Sequence, residues 1–339
     1  MKATYLKYLL QFKRPSGTSR GVLLDKETFI LTISEDGRKG VGECAIFRGL
    51  SFDDRPGYEE KLQWLCEHIN EDITFLKEEL KEFPSIWFGY EQAVLNLKYG
   101  DSIYFPSEFT EEKSAITING LIWMGEVGYM EEQIQDKLEK GFHCIKLKIG
   151  VDWKSEHIIL QKLREKFSKD QLELRVDANG GFSKDEAVTV LQQLADLHIH
   201  SIEQPIKAGN WEDMAELCAK TPTPIALDEE LIGIIDPEEK KKLLEKIKPQ
   251  YIILKPALVG GFSGSDEWIS LAENQNIGWW ITSALESNIG LNAIAQYTFT
   301  KKNPMPQGLG TGALFVNNFE SDLELRNELL WFKNITIKS

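Results

Sequence analysis

The chain has 339 residues, 42% of them hydrophobic, and a formal net charge of −14 at pH 7. That is enough apolar material for one large domain, or a large one joined to a small one. The acidic balance excludes nucleic acid, whose phosphates require a basic face, and an anionic membrane surface, and no run of about 18 apolar residues marks a membrane span.

The first hundred residues read as strands followed by helices. Residues 4–12 alternate weakly, 27–34 (ETFILTIS) form a strand, Glu35-Asp36-Gly37 is a turn, and 40–45 (GVGECA) resume as the second arm of a hairpin. Helical spacing follows at 58–70, with Leu62, Leu65, Cys66 and Ile69, and at 85–97, with Ile86, Tyr90, Val94 and Leu97. Strands then helices without regular alternation predict a separate α+β unit.

From residue 115 the order becomes β-α-β-α. Strands are expected at 115–119, 144–148, 173–177, 201–204, 225–228, 251–255, 279–283 and 307–310, with helical patterns between them at 129–139, 155–167, 184–197, 237–248, 266–274 and 289–299. Ser183 and Asp236 are the expected helix N-caps. Eight such units close a barrel of the TIM type. An open doubly wound sheet would carry a glycine-rich phosphate turn after its first strand, and none follows 115–119. The expected fold class is therefore α/β, a (β/α) barrel over 111–319 behind an α+β capping domain over 1–110, with the tail 320–339 packing back on the N-terminal unit. Cys44, Cys66, Cys144 and Cys218 form no CxxC pair, and the five histidines show no zinc spacing relative to them, so reduced, buried thiols are expected. The first apolar run is too short for a secretory leader, and the expected location is cytoplasmic.

Five polar residues end successive strands: Lys148 in IKLKIG, Asp177 in LRVDANG, Glu203 in SIEQP, Asp228 in IALDEE and Lys255 in IILKP. Active sites of closed α/β barrels gather at these strand ends. Three carboxylates on rigid elements suit a hard divalent cation, with open positions for water and substrate. A lone acid at a strand end is an ordinary helix cap; three in register between lysines are not. Glu229 and Glu230 adjoin Asp228, and spacing leaves open which of the three coordinates. Lys146 and Lys148 point to one side of their strand, inward, so Leu147 faces the helices. Two inward lysines need anions beside them, and each is expected to lower the other's proton affinity.

These motifs, KLK at 146–148, DANGGF at 177–182, EQP at 203–205, DEE at 228–230 and KP at 255–256, resemble the enolase superfamily in its muconate-lactonizing subgroup. The likeness spans the barrel in order and spacing, and the N-terminal unit is similar to that superfamily's capping domain. The resemblance implies a modified, enolase-type barrel. It implies that Asp177, Glu203 and Asp228 bind Mg²⁺, with Mn²⁺ as a substitute. Lys148 matches the base that removes a proton α to a carboxylate, Lys255 the lysine on the opposite face, and Lys146 a residue that tunes Lys148. The implied partner is a small-molecule carboxylate, and the protein could be a homo-oligomer.

Within the subgroup, 282–296 (TSALESNIGLNAIAQ) and 308–315 (GLGTGALF) resemble the members that dehydrate a cyclohexadiene carboxylate to an aromatic succinylbenzoate in menaquinone biosynthesis. N-succinylamino acid racemases and dipeptide epimerases share the scaffold and form the second reading. The DxD pair of the dipeptide epimerases is absent from 275–315. Expected substrate contacts are Asn179, Ser283, Glu286 and Ser287, with Ser19 and Arg20 or Arg48 in the cap loops at 14–21 and 46–51. Glu286 has a second expectation, a structural pairing with Lys255. Gly290 and Gly310 suggest close backbone approach to a ligand.

Overall fold

The computed structural model describes residues 1–18, 21–123 and 125–333. Three strands, β1 (Lys2–Thr18), β2 (Gly21–Glu35) and β3 (Arg38–Cys44), form an antiparallel sheet in that order. Asp36 and Gly37 link β2 to β3 with φ of 51° and 79°, the double left-handed geometry of a tight hairpin turn. Helices α1 (Tyr58–Glu67), α2 (Ile73–Leu80) and α3 (Pro84–Tyr99) cover one face. Phe29, Leu31 and Ile33 alternate along β2 toward Leu62, Leu65, Ile86 and Tyr90, so the period-two strand pattern meets helical stripes in one apolar cluster.

The rest of the chain follows as β4 (Ala115–Thr117), β5 (Gly120–Ile122), α4 (Val127–Glu139), β6 (Cys144–Lys148), α5 (Trp153–Lys166), β7 (Glu173–Asp177) and α6 (Lys184–Asp196). It continues with β8 (Ser201–Glu203), α7 (Trp211–Lys220), β9 (Ile225–Leu227), α8 (Pro237–Ile247), β10 (Tyr251–Leu254), α9 (Gly261–Glu273), β11 (Gly278–Ile281) and α10 (Asn288–Thr300). A hairpin of β12 (Leu323–Arg326) and β13 (Leu329–Phe332) ends the described chain. Strands β5 to β11 make one parallel sheet in sequence order. Ser183 caps α6 in a reciprocal box with Glu186, and Asp236 accepts from Glu238 and Glu239 amides at the start of α8, as the sequence predicts.

Three details depart from expectation. The first barrel strand is β5 at 120–122, not 115–119; β4 instead pairs antiparallel with β13. Both segments are short and apolar, so periodicity alone does not separate them. The eighth strand is reduced to bridges, in which Gln307 meets Ile118 and Gly308 meets Thr282. Four amide bonds carry this closure: Gln307 to Thr117, Asn119 to Gln307, Gly308 to Ile281 and Ser283 to Gly308. The tail hairpin sets Phe332 against Phe109 of the N-terminal unit, with ring centroids 6.0 Å apart, but its strands add to β4 and not to the N-terminal sheet, where β1 is met by the segment just before the hairpin, through Lys13 to Leu314 and Val316 to Gln11 amide bonds.

Candidate active site

The parallel register builds the site. Lys148 lies opposite Asp177 across β6 and β7, and Asp177 opposite Glu203 across β7 and β8. Asp228 and Lys255 follow the last residues of β9 and β10. Lys146 Nζ lies 2.6 Å from Glu203 Oε2 and 3.3 Å from Asp177 Oδ2. Lys148 Nζ donates to Asp177 Oδ2 at 2.9 Å and to Asn179 Oδ1 at 2.7 Å. From across the barrel, Lys255 pairs with Asp228 and stands 3.8 Å from Glu203 Oε1. The three acids and two of the lysines expected from sequence, with Lys146, thus form one buried network.

Its charges explain its titration. Burial disfavours ionised Asp177, but the ammonium groups of Lys148, Lys146 and Lys255 outweigh burial and hold its carboxyl below the usual range. Burial likewise disfavours charged Lys255 and Lys146; Asp228 and Glu203 overcome it for Lys255, and Glu203 and Asp177 for Lys146, so both amines are held above their ordinary range. At Lys146 the lowering expected from a neighbouring amine is outweighed, because carboxylates lie closer to it than the sequence spacing reveals.

Asn179 also donates to Glu229 Oε1 at 3.0 Å. Glu230 turns away from this network, accepting from Gln204 Nε2 and the Gly209 amide. The turn after β7 carries Asn179 at φ 44° and Gly180 at φ 73°. A side chain on Gly180 would meet the Lys207 backbone at 3.0 Å, so the DANGG glycine serves the turn that aims Asn179.

A cleft opens over this network. Lys146, Lys148, Asp177, Asn179, Lys255, Thr282 and Ser283 line it, with Thr311, Asn119, Leu121 and Trp123, and with Phe47 and Leu50 from the N-terminal unit. Ser283 and Thr311 hydroxyls share a 2.6 Å hydrogen bond. Leu121 and Trp123 escape a sequence reading that places the first strand too early. Thr311 was detectable as the polar residue in GLGTGALF.

Other expected contacts fall elsewhere. Glu286 does not pair with Lys255; it accepts from the Ala284 amide at 2.7 Å and lies in the field of Lys26 and Glu43. Ser287 donates to Glu43 and caps α10. Gly290 approaches the Glu43 and Glu286 side chains rather than a ligand. Arg48 is engaged by Glu27 and Asp54. Ser19 and Arg20 lie outside the described residues.

As placed, no three Asp, Glu, His or Cys side chains among the described residues share a ready cation position, because ammonium groups stand between the carboxylates. The donor chemistry nevertheless fits a hard dication. Asp177, Glu203 and Asp228 are each no more than 2% exposed, and Glu203 Oε1 is buried without a hydrogen-bond donor. Lysine ammonium groups already supply the positive charge such a trio demands. No described helix is long and apolar enough to cross a membrane.

Residues 129–329 match the family model described as enolase C-terminal domain-like. The chain is 45% identical to an o-succinylbenzoate synthase of Desulfotalea psychrophila, covering 97% of this chain and 98% of that one. It is 34% identical to an N-succinylamino acid racemase of Thermus thermophilus, covering 80% and 75%. The crystal structure of MenC from Desulfotalea psychrophila superposes with a TM-score of 0.87 at 41% identity, covering 98% of this chain and 99% of that one.

Proposed function

The chain belongs to the enolase C-terminal domain-like family, and on that premise we propose that it is a lyase that dehydrates 2-succinyl-6-hydroxycyclohexadiene carboxylate to o-succinylbenzoate, the step that serves menaquinone biosynthesis. Two lysines on opposite sides of a buried carboxylate trio carry this reading, together with the full-length similarity to an o-succinylbenzoate synthase. The catalytic part is assigned to 111–319, the cap to 1–110, and the compartment to the reducing cytoplasm, in keeping with four free cysteines.

Asp177, Glu203 and Asp228 would hold Mg²⁺, which supplies electrostatic stabilisation for the negative charge that develops on the substrate carboxylate. Lys148, aimed by Asp177 and Asn179, acts in its amine form. It takes the α-proton on Nζ as the C–H bond breaks. The ring C–O bond then breaks, the new double bond completes the aromatic ring, and the proton on Lys148 leaves with the hydroxyl as water from the same face. Lys255 stays an ammonium, stabilising the planar anion from the far side through charge and cation–π attraction. Lys146 balances Asp177 and Glu203. Asn179 and Ser283 orient the substrate at the cleft wall, and Phe47 and Leu50 exclude water above it.

Opposed lysines also suit two-base racemisation, and the likeness to an N-succinylamino acid racemase favours this as the second activity of the same site. Incubation with the cyclohexadiene substrate and with N-succinyl amino acids in D₂O separates the two. Rapid aromatisation establishes the dehydratase. Deuteration at the α-carbon of the cyclohexadiene substrate without aromatisation overturns it, whereas deuteration of the N-succinyl amino acids reports the second activity.

A further inference from the structure

Two carboxylates of the N-terminal unit end on the amino termini of consecutive barrel helices. Glu91 of α3 accepts from the amides of Phe262 at 2.6 Å and Ser263 at 3.1 Å, at the start of α9. Glu43 of β3 accepts from the Ser287 amide at 3.0 Å, Ser287 Oγ at 2.5 Å and the Gly290 amide at 3.0 Å, at the start of α10. Such a carboxylate satisfies amides that a helix leaves unpaired and complements its dipole. The two docks differ in what lies upstream. The helix α9 begins away from the cleft, whereas Ser283, Ala284 and Leu285, just before the α10 dock, form part of the cleft wall.

Little slack separates that wall from the dock. Leu285 is held at φ 62°, a left-handed conformation that costs a branched residue free energy and persists only under constraint. Glu286 folds back to accept from the Ala284 amide. On the other side, Glu43 is itself clamped. Thr28 Oγ1 donates to its carboxylate at 2.8 Å, and the Gln92 side-chain amide brackets its backbone, accepting from its N–H at 3.2 Å and donating to its carbonyl at 3.1 Å. Lys26, buried and without a hydrogen-bond partner on Nζ, stands in the field of Glu43 and Glu286, which favour its charged form against the opposing and larger effect of burial. Gly290 is required for the fit: a Cβ there would lie 2.7 Å from Glu43 Oε2 and 2.9 Å from Glu286 Cβ.

We propose that Glu43 is a positioning residue for the cleft. By seating the first turn of α10 on the N-terminal unit, it fixes the Ser283–Leu285 wall, so that a residue that never touches substrate sets substrate affinity. The kinetic form of this inference rests on the dehydratase reading; the structural form does not.

The test compares Glu43→Gln and Gly290→Ala with Glu91→Gln, which disturbs the equivalent dock on α9. Glu43→Gln replaces an acceptor oxygen with a donor facing the Ser287 or Gly290 amide; Gly290→Ala displaces the carboxylate while leaving it intact, and keeps the test open should the first variant not fold. Each is expected to raise KM for the cyclohexadiene carboxylate about tenfold with kcat within about threefold, the signature of lost binding common to ground and transition states. Glu91→Gln keeps the wild-type KM. Amide hydrogen exchange over 284–290 accelerates in the first two variants and not in the third. A wild-type KM in both Glu43→Gln and Gly290→Ala, or an equal rise in Glu91→Gln, overturns the inference. If the wild-type protein does not dehydrate the substrate, the functional reading fails on its own. The exchange comparison then decides the positioning role, and unchanged exchange over 284–290 in Glu43→Gln rejects it.

Discussion

Lys146 and Lys148 converge on a single oxygen: Asp177 Oδ2 lies 3.3 Å from the first ammonium and 2.9 Å from the second. Two residues apart on one strand, they point the same way, and only the carboxylate between them lets both remain in a site nearly closed to solvent. The sharing also divides their roles. Lys146 is tied additionally to Glu203, whereas the second partner of Lys148 is the neutral Asn179.

Lys148→Ala is expected to lower kcat by about 10³-fold, the scale of a lost general base, while product still binds. Turnover followed by the absorbance of the aromatic product, and product affinity by calorimetry, check both halves. Turnover near the wild-type level removes Lys148 from the mechanism.

EDTA is expected to abolish turnover and added Mg²⁺ to restore it. Asp228→Asn, which removes a charged oxygen from the trio and leaves Lys255 without its closest counter-ion, should bind Mg²⁺ detectably more weakly by calorimetry. Metal affinity equal to wild type excludes Asp228 from the ligand set.

Thr311→Val takes away one half of the buried Ser283–Thr311 hydroxyl pair and leaves Ser283 to reorient. A net hydrogen bond is worth about 1 kcal/mol, so KM should rise about fivefold with little change in kcat. Steady-state kinetics on the purified variant decides this, and an unchanged KM dissociates the pair from binding.

Burial pushes the carboxyl of Glu91 up to about 7, against the pull of the Ser263 hydroxyl and the Phe262 and Ser263 amides. The folded chain therefore keeps this proton to higher pH than the unfolded chain does. The stability it contributes is full below the ordinary carboxylate range and is lost as pH rises through 7, about 3 kcal/mol at most. Burial raises Glu286 to about 7 and Asp53 to about 6 as well, giving slopes of the same sign. Tm should fall between about pH 5 and about pH 8, and Glu91→Gln should flatten part of that fall. A Tm that climbs steadily over the same range contradicts the assignment.

Much of the candidate site is legible in the sequence because strand ends in a parallel barrel share one rim. The polar residue closing each apolar run marks that rim, and the register then brings Lys148, Asp177 and Glu203 side by side. The places of Glu286 and Ser287 are not legible because one left-handed residue, Leu285, redirects the chain from the cleft to the cap, and nothing in the word TSALESN announces it. The first barrel strand is not separable by pattern because 115–117 and 120–122 are similarly short and apolar. Which of the two joins the parallel sheet is decided by the distant strand β13, a partner more than 200 residues away that local pattern does not encode. Glu43 and Glu91 stayed invisible for a related reason: each is an ordinary acid in its own element, and its meaning lies in a helix contributed by the other half of the chain.

The last joint of the barrel is made by Gln307 and Gly308, which bridge Ile118 and Thr282 without forming a full strand. Ser283 and Thr311 line the cleft beside that joint, while Lys146, Lys148, Asp177 and Glu203 stand on the ladder of β6, β7 and β8. The hydroxyls that face a ligand and the groups that handle its proton are thus carried by different stretches of the barrel wall, so that a substitution in one stretch can change what is bound while leaving the other in place.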